Sequence, residues 1–258
     1  MQLLKNTVKQ YIMKTTIIFS IILFSFSLFA QNATEIIKKA DEKAKGESSF
    51  ATMSMKIVRP SWERTVTFKS WAKGTDYSLT LITSPAKEKG QTFLKRMNEL
   101  WSWNPTISRM IKLPPSMLSQ GWMGSDFSND DILKESSVVV DYNHSLKGSE
   151  ILESKDCYII ELTPKEDAAV VWGKVIKWIS KEDYLQLKSE YYDEDNYLIK
   201  TEKASKIKKM DDREIPTYLE IIPEDEKGNK TIVIIESMKF NIELEDSFFS
   251  QQNMKRIR

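Results

Sequence analysis

The sequence predicts a mainly β protein of the α+β class, in which about eleven antiparallel strands form one strongly curved sheet. Segments that alternate apolar and polar residues with period two, divided by turn signals, run through most of the chain. A single amphipathic helix precedes them. About eleven strands are too many for a flat sheet, so the sheet is expected to curl toward a barrel and to carry the helix on its surface.

The first 30 residues have the pattern of a secretory signal peptide. A basic start is followed by an apolar run from 17 to 30, and Ala30-Gln31 offers a small-residue cleavage point. The run is shorter than the roughly 20 apolar residues that span a bilayer, so an uncleaved anchor is the weaker alternative. Met13-Lys14 is a more usual beginning for such a signal, which makes residues 1–12 an upstream extension or a start placed too early. The mature chain, 31–258, is expected to form one domain.

Charge and cysteine content exclude several classes of function. Removing the signal takes the formal net charge from +1 to −2, because three lysines and no acid are lost. A nearly neutral chain gives no electrostatic case for binding nucleic acid. The one cysteine, Cys157, cannot form an intramolecular disulfide, and its strand-like surroundings predict burial rather than reactivity.

The amphipathic helix is predicted over residues 32–45. Asn32 can cap it with Glu35 three residues later, and Gly46 stands where the chain must leave the helix. An apolar stripe at helical spacing consists of Ile36, Ile37, Ala40 and Ala44. The helix is therefore expected to pack on an apolar surface, which we place on the concave side of the sheet.

The predicted strands fall into two groups with a break between them. The first group comprises 49–59, 62–73, 76–83, 91–97, 99–104 and 106–112. The second group comprises 157–163, 170–180, 185–193, 197–208, 215–222 and 230–240. In the break, over 113–135, Pro114-Pro115 cannot continue a central strand, and Ser128-x-x-Asp131 has the form of a capping box that opens a short helix. The acids there are explained by that helix N-terminus better than by a cation site, because their spacing lacks the ligand pattern of a calcium loop.

No catalytic motif is present. The one histidine, His144, lacks the partners of a zinc site or a catalytic triad, and an exposed or edge-strand position is expected for it. Neither phosphate-binding glycine pattern occurs, and no two carboxylates are singled out as a catalytic pair. The sequence therefore predicts a protein that is not an enzyme and that uses no metal and no cofactor.

Large apolar side chains are concentrated in the first half of the chain. An ordinary core explains each of them singly, but together they fit the lining and the cover of an apolar cavity. The candidate ligand-binding residues are Trp62, Phe68, Phe93, Trp101, Trp103, Met110, Trp122, Met123 and Phe127.

The stretch Gly121-Trp122-Met123-Gly124 allows three interpretations. Two bulky apolar residues between glycines can form a mobile flap that closes over the cavity, since glycine gives the backbone freedom. They can equally belong to a loop folded permanently into the core. The third possibility is an exposed contact with a partner.

Several motifs resemble one known family. They are the Trp101-Ser-Trp103-Asn-Pro105 strand, Arg109 and Lys112 on the next strand, Met123-Gly-Ser-Asp-Phe127 with Asp130-Asp131, Asp156 to Pro164, Trp178 to Tyr184, and Tyr191-Tyr192-Asp193. Together these are similar to the LolA-like outer-membrane lipoprotein-sorting proteins, over nearly all of the mature chain. The Met-Gly-Ser-Asp-Phe element is the most specific of them.

The resemblance implies an incomplete, half-open antiparallel barrel with helices covering its concave face. It further implies a monomeric periplasmic carrier that shields the acyl chains of a lipoprotein or lipid and delivers it toward the outer membrane. An inner-membrane transporter and an outer-membrane acceptor would be its partners. The alternative is a lipid-sensing regulatory or accessory protein of an envelope transporter or stress system, because fold alone does not decide between these roles.

Overall fold

A computed structural model describes residues 33–258 except 98, 118, 119, 130, 132–137, 167 and 169. The predicted signal peptide and Asn32, the predicted cap of the helix, lie outside the described residues. Within these ranges, no helix is long and apolar enough to cross a membrane.

The structure is built mainly of strands. The long helix α1 covers 33–45. The strands in chain order are β1 Ser48–Arg59, β2 Trp62–Lys73, β3 Tyr77–Ser84, β4 Thr92–Arg96, β5 Glu99–Asn104, β6 Arg109–Lys112, β7 Tyr142–Leu152, β8 Lys155–Pro164, β9 Lys174–Ser180, β10 Gln186–Tyr192, β11 Leu198–Met210, β12 Arg213–Pro223 and β13 Lys230–Phe240. Short 3-10 helices lie at Pro115–Met117, Trp122–Gly124 and Asp246–Phe248, and helix α2 covers Gln251–Met254.

All thirteen of these strands form one antiparallel sheet in the order β6-β5-β4-β3-β2-β1-β13-β12-β11-β10-β9-β8-β7. Within β1 to β6 and within β7 to β13 each strand pairs with its neighbour in the chain, and β1 pairs with β13 to join the two halves. The sheet is curved but does not close, so β6 and β7 are its edges. The predicted curved, incomplete antiparallel barrel is confirmed.

Strand β7 is the element that the sequence did not predict, which explains part of the difference between about eleven strands and thirteen. It is an edge strand with one neighbour, β8, and its pairing is broken by a bulge between Leu146 and Gly148. Most of its side chains are exposed, so it lacks the apolar alternation that identifies a half-buried strand. Strand β6 is also shorter than predicted, since it begins at Arg109.

One face of the sheet is concave. Met53 of β1 pairs with Phe68 of β2 and with Ile235 of β13, so these side chains point the same way. Side chains of β4 and of β11, which lie six strands apart in the sheet, line the same cavity. Such distant strands can share a cavity only on the inner side of the curve.

Helix α1 packs on this concave face, as predicted. Its buried residues Ala33, Ile36, Ile37 and Ala40 share a cluster with Ile160, Leu162, Val175 and Ile179 of β8 and β9. Gly46 ends the helix with a φ of +63°, and its N–H donates to Glu42 O at 2.9 Å. The glycine exit and three members of the predicted stripe, Ile36, Ile37 and Ala40, are confirmed, whereas Ala44 is exposed.

The convex face is covered by residues from the C-terminal segment, 244–257. Phe249 and Met254 are buried against Leu79 of β3 and Leu94 of β4. A second outer cluster contains Cys157, which is fully buried with Trp178. The predicted burial of Cys157 is confirmed, and desolvation raises the pKa of its thiol.

Candidate functional site

Residues 120–129 and 131, here called the cover segment, lie across the concave face. Trp122 is only 5% exposed. Its indole meets Phe68 and Phe93 edge-on, with ring centroids 5.8 and 5.4 Å apart. Within the described part of the chain, the indole N–H finds no hydrogen-bond acceptor. Trp122 is therefore packed into the core of the described state, and mobility of the cover segment stays a prediction.

The backbone of the cover segment explains its two glycines. A Cβ at Gly121 would lie 2.6 Å from Ser125 O, which is too close for any other residue. Gly124 has a φ of +75° and the preceding Met123 a φ of +53°, so the chain turns sharply here. The N–H of Trp122 donates to Phe127 O at 2.6 Å, which closes the turn.

A buried ion pair anchors the middle of the cover segment to β1 and β13. The guanidinium of Arg59 donates to both carboxylate oxygens of Asp126, at 2.9 and 3.2 Å, and to Gly124 O at 3.0 Å. The hydroxyl of Thr231 donates to Asp126 at 2.6 Å. Asp126 thus serves as an internal anchor.

A second buried ion pair anchors the end of the cover segment. Lys200 Nζ of β11 lies 2.6 Å from Asp131, and the indole N–H of Trp172 donates to the same carboxylate at 3.2 Å. The Lys200 ammonium also sits 4.8 Å from the ring centre of Trp172 and 4.9 Å from that of Tyr191. The two anchors thus hold the segment at residues 126 and 131.

The predicted capping box is present. The N–H of Ser128 donates to the Asp131 carboxylate at 2.8 Å, and the N–H of Asp131 donates to the Ser128 hydroxyl at 3.0 Å. Most of the helix that this box was predicted to open falls on residues outside the described ranges. Among the described residues, no group of three or more His, Cys, Asp or Glu side chains could hold a metal ion.

Two cavities lie between the sheet and α1, and the cover segment lines the larger one. The larger has a volume of about 340 Å³, within the usual range for ligand pockets, and the smaller about 140 Å³. The apolar lining of the larger cavity includes Met53, Met55, Phe68, Phe93, Trp122, Phe127, Leu219 and Val233. The two cavities share lining residues Ala44, Lys45, Glu202, Leu219 and Ile235. They are therefore adjacent at the C-terminal end of α1.

The structure brings together only part of the predicted ligand-binding set. Phe68, Phe93, Trp122 and Phe127 line the larger cavity. Met123 packs against the apolar cluster that contains Phe68 and Trp122. Trp62 is 49% exposed at the end of the β1–β2 hairpin, where the Arg59 guanidinium lies 5.9 Å from its ring centre.

Three other members of the set lie on the opposite face. Trp101, Trp103 and Met110 pack under the C-terminal segment against the cluster of Leu79 and Phe249. The physical reason is the strand register: Phe93 pairs with Ser102, so the neighbours of Ser102 on β5 point away from the cavity. Alternation shows that two residues share a face, but it does not show which face is concave.

Several lining residues are absent from the predicted set. Met53 and Met55 of β1, and Leu219 and Val233 of the distant strands, carry no motif. Their signal is only the alternation of their own strands, and the pairing of β1 with β13 is needed to bring them together.

His144 lies on the edge strand β7, as expected, but it is buried rather than exposed. Its Nε2 lies 2.8 Å from Val138 O and its Nδ1 3.0 Å from the Thr34 hydroxyl. Because a carbonyl oxygen only accepts, Nε2 carries the proton and Nδ1 accepts from Thr34. The ring thus joins α1 to the segment before β7.

Burial lowers the pKa of His144, and the charge of Lys165 acts in the same direction. The unfolded chain therefore binds a proton at His144 more readily than the folded protein does. The stability that the neutral ring contributes is present above about pH 6.5, and it is lost as the pH falls through the lower pKa of the folded state. We expect the difference in unfolding free energy between wild type and His144→Gln to shrink from pH 7.5 to 5. Denaturant titrations at each pH measure it, and a constant difference would show that the ring does not titrate with folding.

Among the solved structures that are similar to the chain are three with TM-scores of 0.73 to 0.80. A DUF1329 family protein from Desulfovibrio piger is 25% identical with a TM-score of 0.80, over 88% of this chain and 99% of that one. A putative outer membrane lipoprotein-sorting protein domain from Vibrio parahaemolyticus is 22% identical with a TM-score of 0.75, over 88% of this chain and 100% of that one. A LolA superfamily protein from Nitrosomonas europaea is 26% identical with a TM-score of 0.73, over 86% and 98% of the two chains.

A family model described as an uncharacterized protein matches residues 74–256, which is more than half of the chain. No curated protein matches. The open curved sheet and the similar structures agree with the resemblance found in the sequence. The chain therefore belongs to the family of this model, and it has the LolA-like fold of the lipoprotein-sorting protein domain and the LolA superfamily protein.

Proposed function

We propose that residues 31–258 form one periplasmic carrier domain that shields the acyl part of a lipid or lipoprotein and carries it toward the outer membrane. The observation that supports this most strongly is the larger cavity, about 340 Å³, enclosed between an apolar concave face and the cover segment. Its lining contains thioether and aromatic side chains, which adapt well to flexible chains. The predicted signal peptide supports the location.

An acyl chain needs such a container. At about 0.8 kcal/mol per methylene, a sixteen-carbon chain costs on the order of 12 kcal/mol to expose to water. A lipid would therefore leave its membrane too slowly without a shield. The carrier must offset much of this cost and still release the cargo at an acceptor, which also explains why transporter and acceptor partners belong to the proposal.

The cover segment fits this task because ion pairs hold it in place while apolar contacts close the cavity. Arg59 and Lys200 anchor it through Asp126 and Asp131, whereas Trp122 packs edge-on against Phe68 and Phe93. A cargo chain can replace the Trp122 contacts without breaking either ion pair.

Native mass spectrometry of the protein purified from the periplasm without detergent tests the proposal. We expect a bound acyl lipid and, in a membrane assay, extraction of a lipidated substrate but not of its unlipidated form. Conversion of the bound lipid would instead indicate an enzyme. Binding without extraction, together with ligand-dependent capture of a protein partner, would indicate the sensor alternative.

A further inference from the structure

The larger cavity has a polar end as well as an apolar one, and this asymmetry specifies the ligand. We infer that the cavity binds an amphiphile with one acyl chain and an anionic head, an inference that rests on the proposed carrier function. The head binds at Lys95, and the end of the chain lies under Trp122.

The polarity changes along the strands in register. Met53 of β1 pairs with Phe68 of β2, two residues farther along Ala51 pairs with Ser70, and Ser70 in turn pairs with Thr80 of β3. The next row contains Ser49, Ala72, Ser78 and Lys95, each paired with its neighbour across β1 to β4. The middle row continues to Phe93 of β4, which contacts Trp122, so hydroxyls and the Lys95 ammonium become more frequent along the wall away from Met53 and Phe68.

Lys95 is the principal feature of the polar end. It is only 6% exposed, and its Nζ donates to Thr75 O at 2.7 Å. The hydroxyls of Ser70 and Thr80 hydrogen-bond to each other at 3.3 Å in the neighbouring row. A hydrogen bond between an ammonium and an anionic oxygen is shorter and stronger than one to a neutral carbonyl, so an anionic head in the cavity would find its best partner at Lys95.

The dimensions fit one chain with its head. Met55 and Ser49 mark the two ends on β1, and six residues of strand span about 20 Å. A bilayer hydrocarbon core of about 30 Å holds two opposed leaflets, so one extended acyl chain needs about 15 Å. The polar end opens beside the exposed turn of Gly74 and Thr75, where a head can keep contact with water.

Calorimetric titration with palmitate and with hexadecyltrimethylammonium, which has the same chain length and a cationic head, tests the inference. Wild type is expected to bind palmitate at least about ten-fold more tightly, because a hydrogen bond to a charged group contributes about that factor. Lys95→Met is expected to lose this preference. Lys69→Met, on the outer face of the adjacent strand β2, is the matched control and is expected to keep it.

Each outcome separates the inference from the proposed function. Failure of both amphiphiles to bind wild type overturns both. Equal binding of the two by wild type overturns the anionic head site and leaves the carrier function standing, and this comparison decides even where Lys95→Met does not fold. Equal preference in wild type and in a folded Lys95→Met overturns the assignment to Lys95.

The direction in which the bound acyl chain lies in the cavity is measured separately with spin-labelled stearates. The difference in fluorescence between wild type and Trp122→Phe gives the emission of Trp122 apart from that of the other tryptophans. A label at carbon 16 is expected to quench this emission more than a label at carbon 5. Stronger quenching by the label at carbon 5 would overturn the orientation.

Discussion

Replacing Trp122 with alanine is expected to lower the free energy of unfolding by about 3–5 kcal/mol, the usual cost of truncating a large buried aromatic residue. The side chain is buried, and it contacts Phe68 and Phe93 edge-on. Removing the indole of Trp122 would enlarge the cavity that the side chain already lines. Thermal and denaturant unfolding of the ligand-free protein measure the effect.

Trp122→Phe is the matched control for this change. Phenylalanine keeps an aromatic ring in the same place and removes the indole N–H, which has no acceptor among the described residues. We expect it to cost much less than the alanine variant. An alanine variant that unfolds like wild type but no longer retains lipid would contradict the core position and establish the cover segment as a mobile flap.

Replacing Asp131 with alanine is expected to cost a similar amount, about 3–5 kcal/mol, because it leaves a buried charge without its partner. The side chains of Lys200 and Asp131 are 9% and 12% exposed, and Lys200 is further enclosed by the rings of Trp172 and Tyr191. The capping contact with Ser128 is lost as well. Denaturant unfolding measures the change.

An exposed pair of the same kind gives the control. Lys181 and Asp156 lie 2.9 Å apart with side chains 32% and 58% exposed, so Asp156→Ala is expected to cost less than about 1 kcal/mol. The double variant Asp131→Leu with Lys200→Met is expected to recover much of the lost stability, since it removes both charges. Equal effects of Asp131→Ala and Asp156→Ala would contradict the anchoring role of the buried pair.

Local patterns in the sequence were sufficient for most of the fold. The helical stripe with Gly46 predicts α1, and Ser128 with Asp131 predicts a capping box that the structure contains. These features depend on neighbours a few residues apart, which a sequence displays directly. Strand β7 was missed because an exposed edge strand needs no apolar alternation.

The candidate site depends on contacts that are distant in sequence. Trp101 and Trp103 satisfy the same alternation as cavity residues, but residues of the C-terminal segment, such as Phe248 and Phe249, cover them on the outer face. Lys95 and Thr80 lie in strands without any motif. They can be recognised as cavity residues only from the register, which places them in one wall with Met53. Register and curvature are properties of the whole sheet.

Lipid occupancy of the cavity tests the central claim most directly. Native mass spectrometry should compare wild type with Met53→Trp, which fills the larger cavity, and with Met97→Trp, the same change at an exposed position on the β4–β5 turn. The account predicts a bound acyl lipid on wild type and Met97→Trp and its loss from a folded Met53→Trp. Wild type that remains empty, or lipid that binds Met53→Trp as well as wild type, would contradict it.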